Sequence, residues 1–213
     1  MSFPEHASFI KLSPLLNLAI LCAGVTSYKA IKESEVRAGD FLCIIGAGGG
    51  LGHLAVQYGR VMGCRVIAVD VGQEKLDFCL SLGAEFVFDC SDSDQLVEKV
   101  KHCTEGGAHV VINIAAHPSA YEVAVRVCRR NGMVVLVAMP KESVSFDVVH
   151  IILNRITLRG SIVGTRQDMK EAMDFARRGL VRCRVEVREL EEINEVMKAV
   201  LENKVIGRVV LNI

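Results

Sequence analysis

The run Phe41-Leu42-Cys43-Ile44-Ile45, followed by Gly46-Ala47-Gly48-Gly49-Gly50-Leu51-Gly52, constrains this chain more than any other stretch. A short apolar run rich in β-branched residues reads as a buried strand. The glycines let the backbone turn tightly and admit a ligand without obstruction by Cβ atoms. From Leu51 the spacing turns helical, with Leu51, Leu54, Ala55, Tyr58 and Met62 on one face. Such a turn offers free N–H groups and the positive end of a helix dipole to a phosphate. A second strand, Arg65 to Val69, leads into Asp70, eighteen residues after Gly52. A carboxylate there accepts hydrogen bonds from a ribose diol and repels a 2′-phosphate. Strand, loop, helix, strand and acid in this order predict a dinucleotide site. Aligned on its last glycine, the G-x-G-x-x-G pattern falls on Ala47, Gly49 and Gly52, so Ala47 has to keep φ < 0. The alternative is a bare strand–helix turn, which would not require Asp70.

Along the chain, strands and helices alternate. Candidate strands are Phe41–Ile45, Arg65–Val69, Glu85–Phe88, His109–Ile114, Met133–Val137 and Ile156–Ile162. Candidate helices lie near Gly50–Met62, Gln73–Leu82, Asp94–Cys103, Ala120–Cys128 and Val148–Leu153. Continuously apolar strands alternating with helices indicate a parallel sheet covered on both faces. The expected fold is therefore α/β, a doubly wound parallel six-stranded Rossmann sheet with ligands at its carboxyl edge.

Both ends fall outside that sheet. Pro14–Ala23 and Ser27–Lys32 read as helical segments broken at Gly24. Toward the end, Met169, Ala172, Met173 and Ala176 form one apolar helical face, and Leu190, Ile193, Met197 and Val200 form another. A strand at Arg184–Val187 separates those helices, and Gly207–Ile213 closes the chain as a second strand. This β-α-β tail exceeds what a six-stranded domain needs, and its apolar faces require cover.

Composition narrows the function classes. A chain of 213 residues suits one large domain, or one domain with part of another. The formal net charge is zero, which gives no argument for nucleic-acid or membrane partners. Ser2–Lys11 carries Pro4, Glu5 and His6 where a secretory leader would be apolar, and no apolar run reaches the roughly 18 residues of a membrane span. Eight scattered cysteines with no C-x-x-C argue against a disulfide framework and against a four-cysteine zinc site. A reducing cytoplasm is the expected compartment. None of the histidines has metal-ligand spacing: His53 sits on the first helix, His102 and His109 flank a turn, and His117 precedes Pro118. They read as surface or core side chains.

Several segments together resemble one family. Leu21-Cys22-Ala23-Gly24-Val25-Thr26, Tyr28-Lys29-Ala30, the loop Gly46 to Gly52, and Ala55-Val56-Gln57-Tyr58 are similar to zinc-dependent medium-chain alcohol dehydrogenases of the tetrameric fungal and bacterial type. Ser81-Leu82-Gly83-Ala84, Gly106-Gly107-Ala108, Asn131-Gly132 with Val134 to Val137, and Gly207-Arg208-Val209-Val210-Leu211 match as well. The resemblance implies residues 1–32 as the end of a GroES-like catalytic domain with a connecting helix. It implies 33–162 as the NAD-binding Rossmann domain, and 163–213 as a segment that packs on the catalytic domain. On this reading the chain lacks most of that catalytic domain, with its proton relay, structural zinc lobe and most catalytic zinc ligands.

By resemblance, the cofactor is NAD, held by Gly48, Gly49, Gly50, Leu51 and Gly52, by the ribose-binding Asp70 and by Lys75 near the adenosine ribose. Lys75 also reads as a solvated helix charge. Arg208 matches an arginine that reaches the cofactor phosphate, a task suited to a guanidinium fork, and reads alternatively as a surface residue on an edge strand. Val137 and Ala138 stand where the nicotinamide ring is faced, with alanine where the family usually has glycine. Cys22 matches one zinc ligand of the family, but a single thiolate makes no catalytic zinc site, which takes about three protein ligands. No catalytic residue and no bound zinc are therefore expected in this chain. The resemblance implies NAD(H) as partner, an alcohol or aldehyde substrate only in a full-length context, and a homodimer or higher oligomer through the strand Ile156–Ile162. Two functions fit: the NAD(H)-binding portion of an alcohol dehydrogenase-like oxidoreductase, inactive alone, or a non-enzymatic Rossmann protein acting in assembly or regulation.

Overall fold

The computed structural model describes residues 20–212. A π-helical turn, Ile20–Gly24, runs directly into α1 (Val25–Glu33). The expected break at Gly24 does not occur, because Gly24 has helical dihedrals, φ −66° and ψ −49°. A Cβ there would stand 2.7 Å from Ile20 Cγ2 and 3.3 Å from the Tyr58 hydroxyl, so glycine at this position permits close packing. The part of the expected N-terminal helix over residues 14–19 lies outside the described residues.

The main sheet follows: β1 (Phe41–Ile45), β2 (Arg65–Asp70), β3 (Phe86–Asp89), β4 (Ala108–Asn113), β5 (Cys128–Leu136) and β6 (Thr157–Gly160). All six pair in parallel in the order β3-β2-β1-β4-β5-β6, with the chain order reversing between β1 and β4. The crossovers are α2 (Gly52–Val61), α3 (Gln73–Ser81), α4 (Ser93–Thr104), α5 (Pro118–Val127) and α6 (Val148–Asn154). Every residue of β1 is buried, as a central parallel strand covered on both faces must be. Leu54 and Tyr58 of α2 and Cys79 of α3 pack on one face with Ile31 of α1. Leu96 and Val100 of α4, with Ala124 of α5, fill the other.

Three expectations about these elements are corrected. The first crossover helix starts at Gly52 instead of Gly50, because Gly50 and Leu51 still belong to the turn. It buries more than one face: Gly52 through Gly59 are all buried, enclosed between the sheet, α1 and the C-terminal segment. The sixth strand is confined to Thr157–Gly160, short of the expected Ile156–Ile162, and lies at the sheet edge.

Beyond the sheet come α7 (Arg166–Arg177), β7 (Val185–Glu189), α8 (Ile193–Leu201) and β8 (Arg208–Asn212). Strands β7 and β8 form a separate parallel pair, the expected β-α-β tail. Thr165 caps α7 by accepting from the Asp168 N–H, while Asp168 accepts from the Thr165 N–H and hydroxyl. These bonds, with the Lys32 ammonium 3.0 Å away, hold the Asp168 carboxyl down at about 2. The apolar face of α7 finds cover within this chain, since Ala172 and Phe175 pack with Tyr28 and Tyr58. That of α8 does not: Ile193, Met197 and Val200 stay exposed.

Candidate functional site

The site is built where β1 ends. Gly46 turns the chain at φ +86°, a left-handed value that glycine adopts without strain. Its N–H and that of Ala47 both donate to the Val69 carbonyl, at 2.9 and 3.1 Å, which ties the turn to β2. Ala47 keeps φ < 0, as the alignment of the pattern requires. The glycines after it meet unequal demands. A Cβ on Gly52 would lie 2.0 Å from the Gly46 carbonyl oxygen, so the helix starts hard against the strand end. On Gly48 it would lie 2.7 Å from Lys75 Cβ, and on Gly50 2.9 Å from Arg208 Cδ. On Gly49 it would meet only the Gly46 oxygen, at an ordinary 3.6 Å. No described residue accepts from the N–H groups of Gly50, Leu51 and Gly52. Three free donors at a helix N-terminus form an anion cradle.

Asp70 is the last residue of β2 and is buried beneath this loop. Its Oδ2 accepts from the Gly48 N–H at 2.7 Å, and its Oδ1 from the Val71 N–H at 2.8 Å. The Lys75 ammonium lies 3.3 Å from Oδ1, with the two side chains only 6% and 4% exposed. Burial excludes the reading of Lys75 as a solvated helix charge. Arg208 opens β8 and lies along Gly50, while the neighbouring Gly207 N–H donates to the Gly48 carbonyl at 3.2 Å. Its strand is indeed an edge, yet the side chain turns to the loop. Val137 and Ala138 follow β5 beside the end of β4. Their N–H groups both donate to the Asn113 carbonyl, at 3.0 and 3.3 Å, and the Tyr121 hydroxyl holds the Ala138 carbonyl at 2.7 Å.

Cys22 is exposed on the π-helical turn. Among the described residues no three His, Cys, Asp or Glu side chains converge on a point that could hold a metal ion. The described side chains therefore do not fit a zinc centre.

Two supporting residues carry no signal in residue spacing. His53 is fully buried, its Nδ1 2.9 Å from the Gly49 carbonyl and its Nε2 3.2 Å from the Arg184 N–H. Because an N–H can only donate, Nε2 is the acceptor and Nδ1 carries the proton. Burial, opposed by the bond to Gly49 and reinforced by the Arg208 and Arg184 charges, lowers the His53 pKa to about 4. Asn203 follows α8 and accepts from Lys75 at 2.8 Å. The polar character of His53, inside a helix buried on all sides, was the one available hint of its role.

A doubly wound parallel sheet, with a glycine loop over a buried acid at its switch point, defines a Rossmann-type domain. Comparison with known proteins narrows the class. The sequence profile of the zinc-binding dehydrogenases matches residues 50–178. Alcohol dehydrogenase 1 of Caenorhabditis elegans is 45% identical over 207 residues, covering 95% of this chain and 59% of that protein. The crystal structure of the alcohol dehydrogenase from Aeropyrum pernix superposes with a TM-score of 0.85 at 31% identity, covering 91% of this chain and 56% of that one. Acetophenone reductase from Geotrichum candidum, solved in complex with NAD, gives 0.79 at 25% identity over 91% of this chain and 54% of that one. This chain belongs to the zinc-binding dehydrogenase family. It spans about 60% of the length of the curated relatives it matches. No helix among the described residues is long and apolar enough to cross a membrane.

Proposed function

We propose that this chain binds NAD(H) across the carboxyl edge of its sheet, as the cofactor-binding portion of an alcohol dehydrogenase-like oxidoreductase. The observation that carries this reading is the convergence of the loop donors, Asp70, Lys75 and Arg208 at one place. The free amides of Gly50, Leu51 and Gly52, with the dipole of α2, receive the pyrophosphate, and Gly49 adds no bulk that would obstruct it. Arg208, beside Gly50, neutralises its charge. Asp70 accepts from the adenosine ribose hydroxyls and disfavours a 2′-phosphate. Val137 and Ala138 form the wall for the nicotinamide ring, which when bound supplies hydride transfer to or from a primary or secondary alcohol or its carbonyl product. The NAD complex of the reductase from Geotrichum candidum supports the cofactor. The family likeness to curated alcohol dehydrogenases supports the reaction class.

The reading extends to cofactor binding without turnover by this chain alone. The edge strand β6, with Val148, Val149, Ile152 and Leu153 exposed on α6, supports self-association along that edge. Calorimetric titration tests the cofactor assignment. NADH should bind more tightly than NADPH, and Asp70→Asn should weaken NADH by about 1–2 kcal/mol, roughly 5- to 30-fold. Equal affinity of the unaltered chain for NADPH would overturn the assignment.

A further inference from the structure

The buried ion pair under the glycine loop has a third member that comes from the far end of the chain. Lys75 Nζ lies 3.3 Å from Asp70 Oδ1 but only 2.8 Å from Asn203 Oδ1. Asn203 is 128 residues distant in sequence and reaches this point from the turn after α8. Its backbone closes that helix: the Asn203 N–H donates to the Val200 carbonyl, and the Lys204 N–H to that of Ala199. Closure puts Asn203 at φ +56°, a left-handed conformation open mainly to glycine and asparagine. Glycine would satisfy the backbone equally well, so closing the helix does not require the asparagine amide. What the amide adds is a neutral acceptor for a buried ammonium.

We propose that Asn203 is a specificity-determining residue of the dinucleotide site, acting through Lys75 to favour NADH over NADPH. This inference rests on the NAD(H) reading above and extends it to a residue outside the Rossmann sheet. A lysine ammonium carries three N–H donors, and a buried donor left unmade is costly. Asp70 takes one and Asn203 a second, which fixes the ammonium between two oxygens. A 2′-phosphate entering beside Asp70 brings negative charge toward that carboxylate, and Lys75 is the cation that would have to answer it. With Asn203 in place the ammonium has a single donor left, aimed by its two existing bonds, so a phosphate can engage it at no more than one N–H without displacing a bond. Remove the amide, and Lys75 has a second uncommitted donor, which a phosphate oxygen fills better than a ribose hydroxyl does. The loop enforces the geometry, because Gly48 leaves no room behind Lys75 Cβ and its own N–H grips Asp70.

The test is calorimetric titration of NADH and NADPH into the unaltered chain, Asn203→Gly and Asn203→Asp. Asn203→Gly keeps the left-handed turn, so the fold is retained. It should narrow the NADH preference at least tenfold, mainly through tighter NADPH binding, with NADH affinity within about threefold of the parent. Asn203→Asp keeps an acceptor on Lys75 and adds a charge that repels phosphate, so it should preserve or widen the preference. An unchanged NADH:NADPH ratio in Asn203→Gly would overturn the inference while leaving the NAD(H) assignment standing. So would an equal loss of both affinities, which marks a merely structural role. An unaltered chain that binds neither dinucleotide would overturn both.

Discussion

His53 offers the most direct quantitative check on how the loop is held. In the folded chain its ring is neutral: Nδ1–H donates to the Gly49 carbonyl, and Nε2 accepts from the Arg184 N–H. Protonating Nε2 would set two donors against each other and place a cation among Arg184 and Arg208 in a buried site. The folded chain therefore resists protonation until about pH 4, whereas the unfolded chain takes up the proton near 6.5. Between those values the unfolded state binds more protons, so stability falls as pH falls, and the full contribution is present above 6.5. At about 1.4 kcal/mol per tenfold change in proton affinity, the difference is worth about 3 kcal/mol. Most of it should disappear between pH 7.5 and 4.5. With a urea m-value of about 2–3 kcal/mol/M, that corresponds to roughly 1 M in the unfolding midpoint. The perturbation is His53→Asn, whose amide can still donate to Gly49 but does not titrate. Carboxylates that lose stability in acid do so in both proteins, so the difference between the two pH profiles isolates His53. The variant should be less stable at pH 7.5 and nearly level with the parent at pH 4.5. Parallel profiles would refute the reasoning, as would an NMR titration of the His53 ring centred near 6.5.

Two further outcomes test the geometry. Gly52→Ala should destabilise the chain by about 3 kcal/mol, because backbone surrounds the added methyl, whereas Gly49→Ala should be neutral or up to about 1 kcal/mol stabilising. Thermal unfolding distinguishes them, and similar losses at both positions would show the loop to be shaped otherwise. Thr165→Ala removes the side-chain cap of α7 and should cost about 1 kcal/mol, or about 2–4 °C in Tm, with no change in NADH affinity.

What the sequence disclosed and what it withheld follow from the range of the interactions involved. The strand–loop–helix was legible because its causes are local. β1 is apolar throughout since both its faces are covered, and Gly52 is glycine because the carbonyl six residues earlier leaves no space for a methyl. Asp70 was legible for a similar reason, as the end of the next strand in the same unit. Spacing said less about Lys75, whose position on a helix fitted a solvated charge as well as a buried one. One of its partners, Asn203, lies 128 residues further along the chain. Arg208 emerged only through family resemblance, since an arginine opening an apolar strand does not announce which loop it faces. His53 and Gly24 are the extreme cases. His53 is bonded by the Arg184 N–H, 131 residues further along the chain, and Gly24 is crowded by Ile20 of its own turn and by Tyr58 of the adjacent helix. For Lys75, Arg208 and His53 the residue type becomes intelligible only once the C-terminal segment is packed on the loop and α2. The parts of the site that bind by backbone are written in contiguous sequence. The parts that hold that backbone in place come from the whole length of the chain.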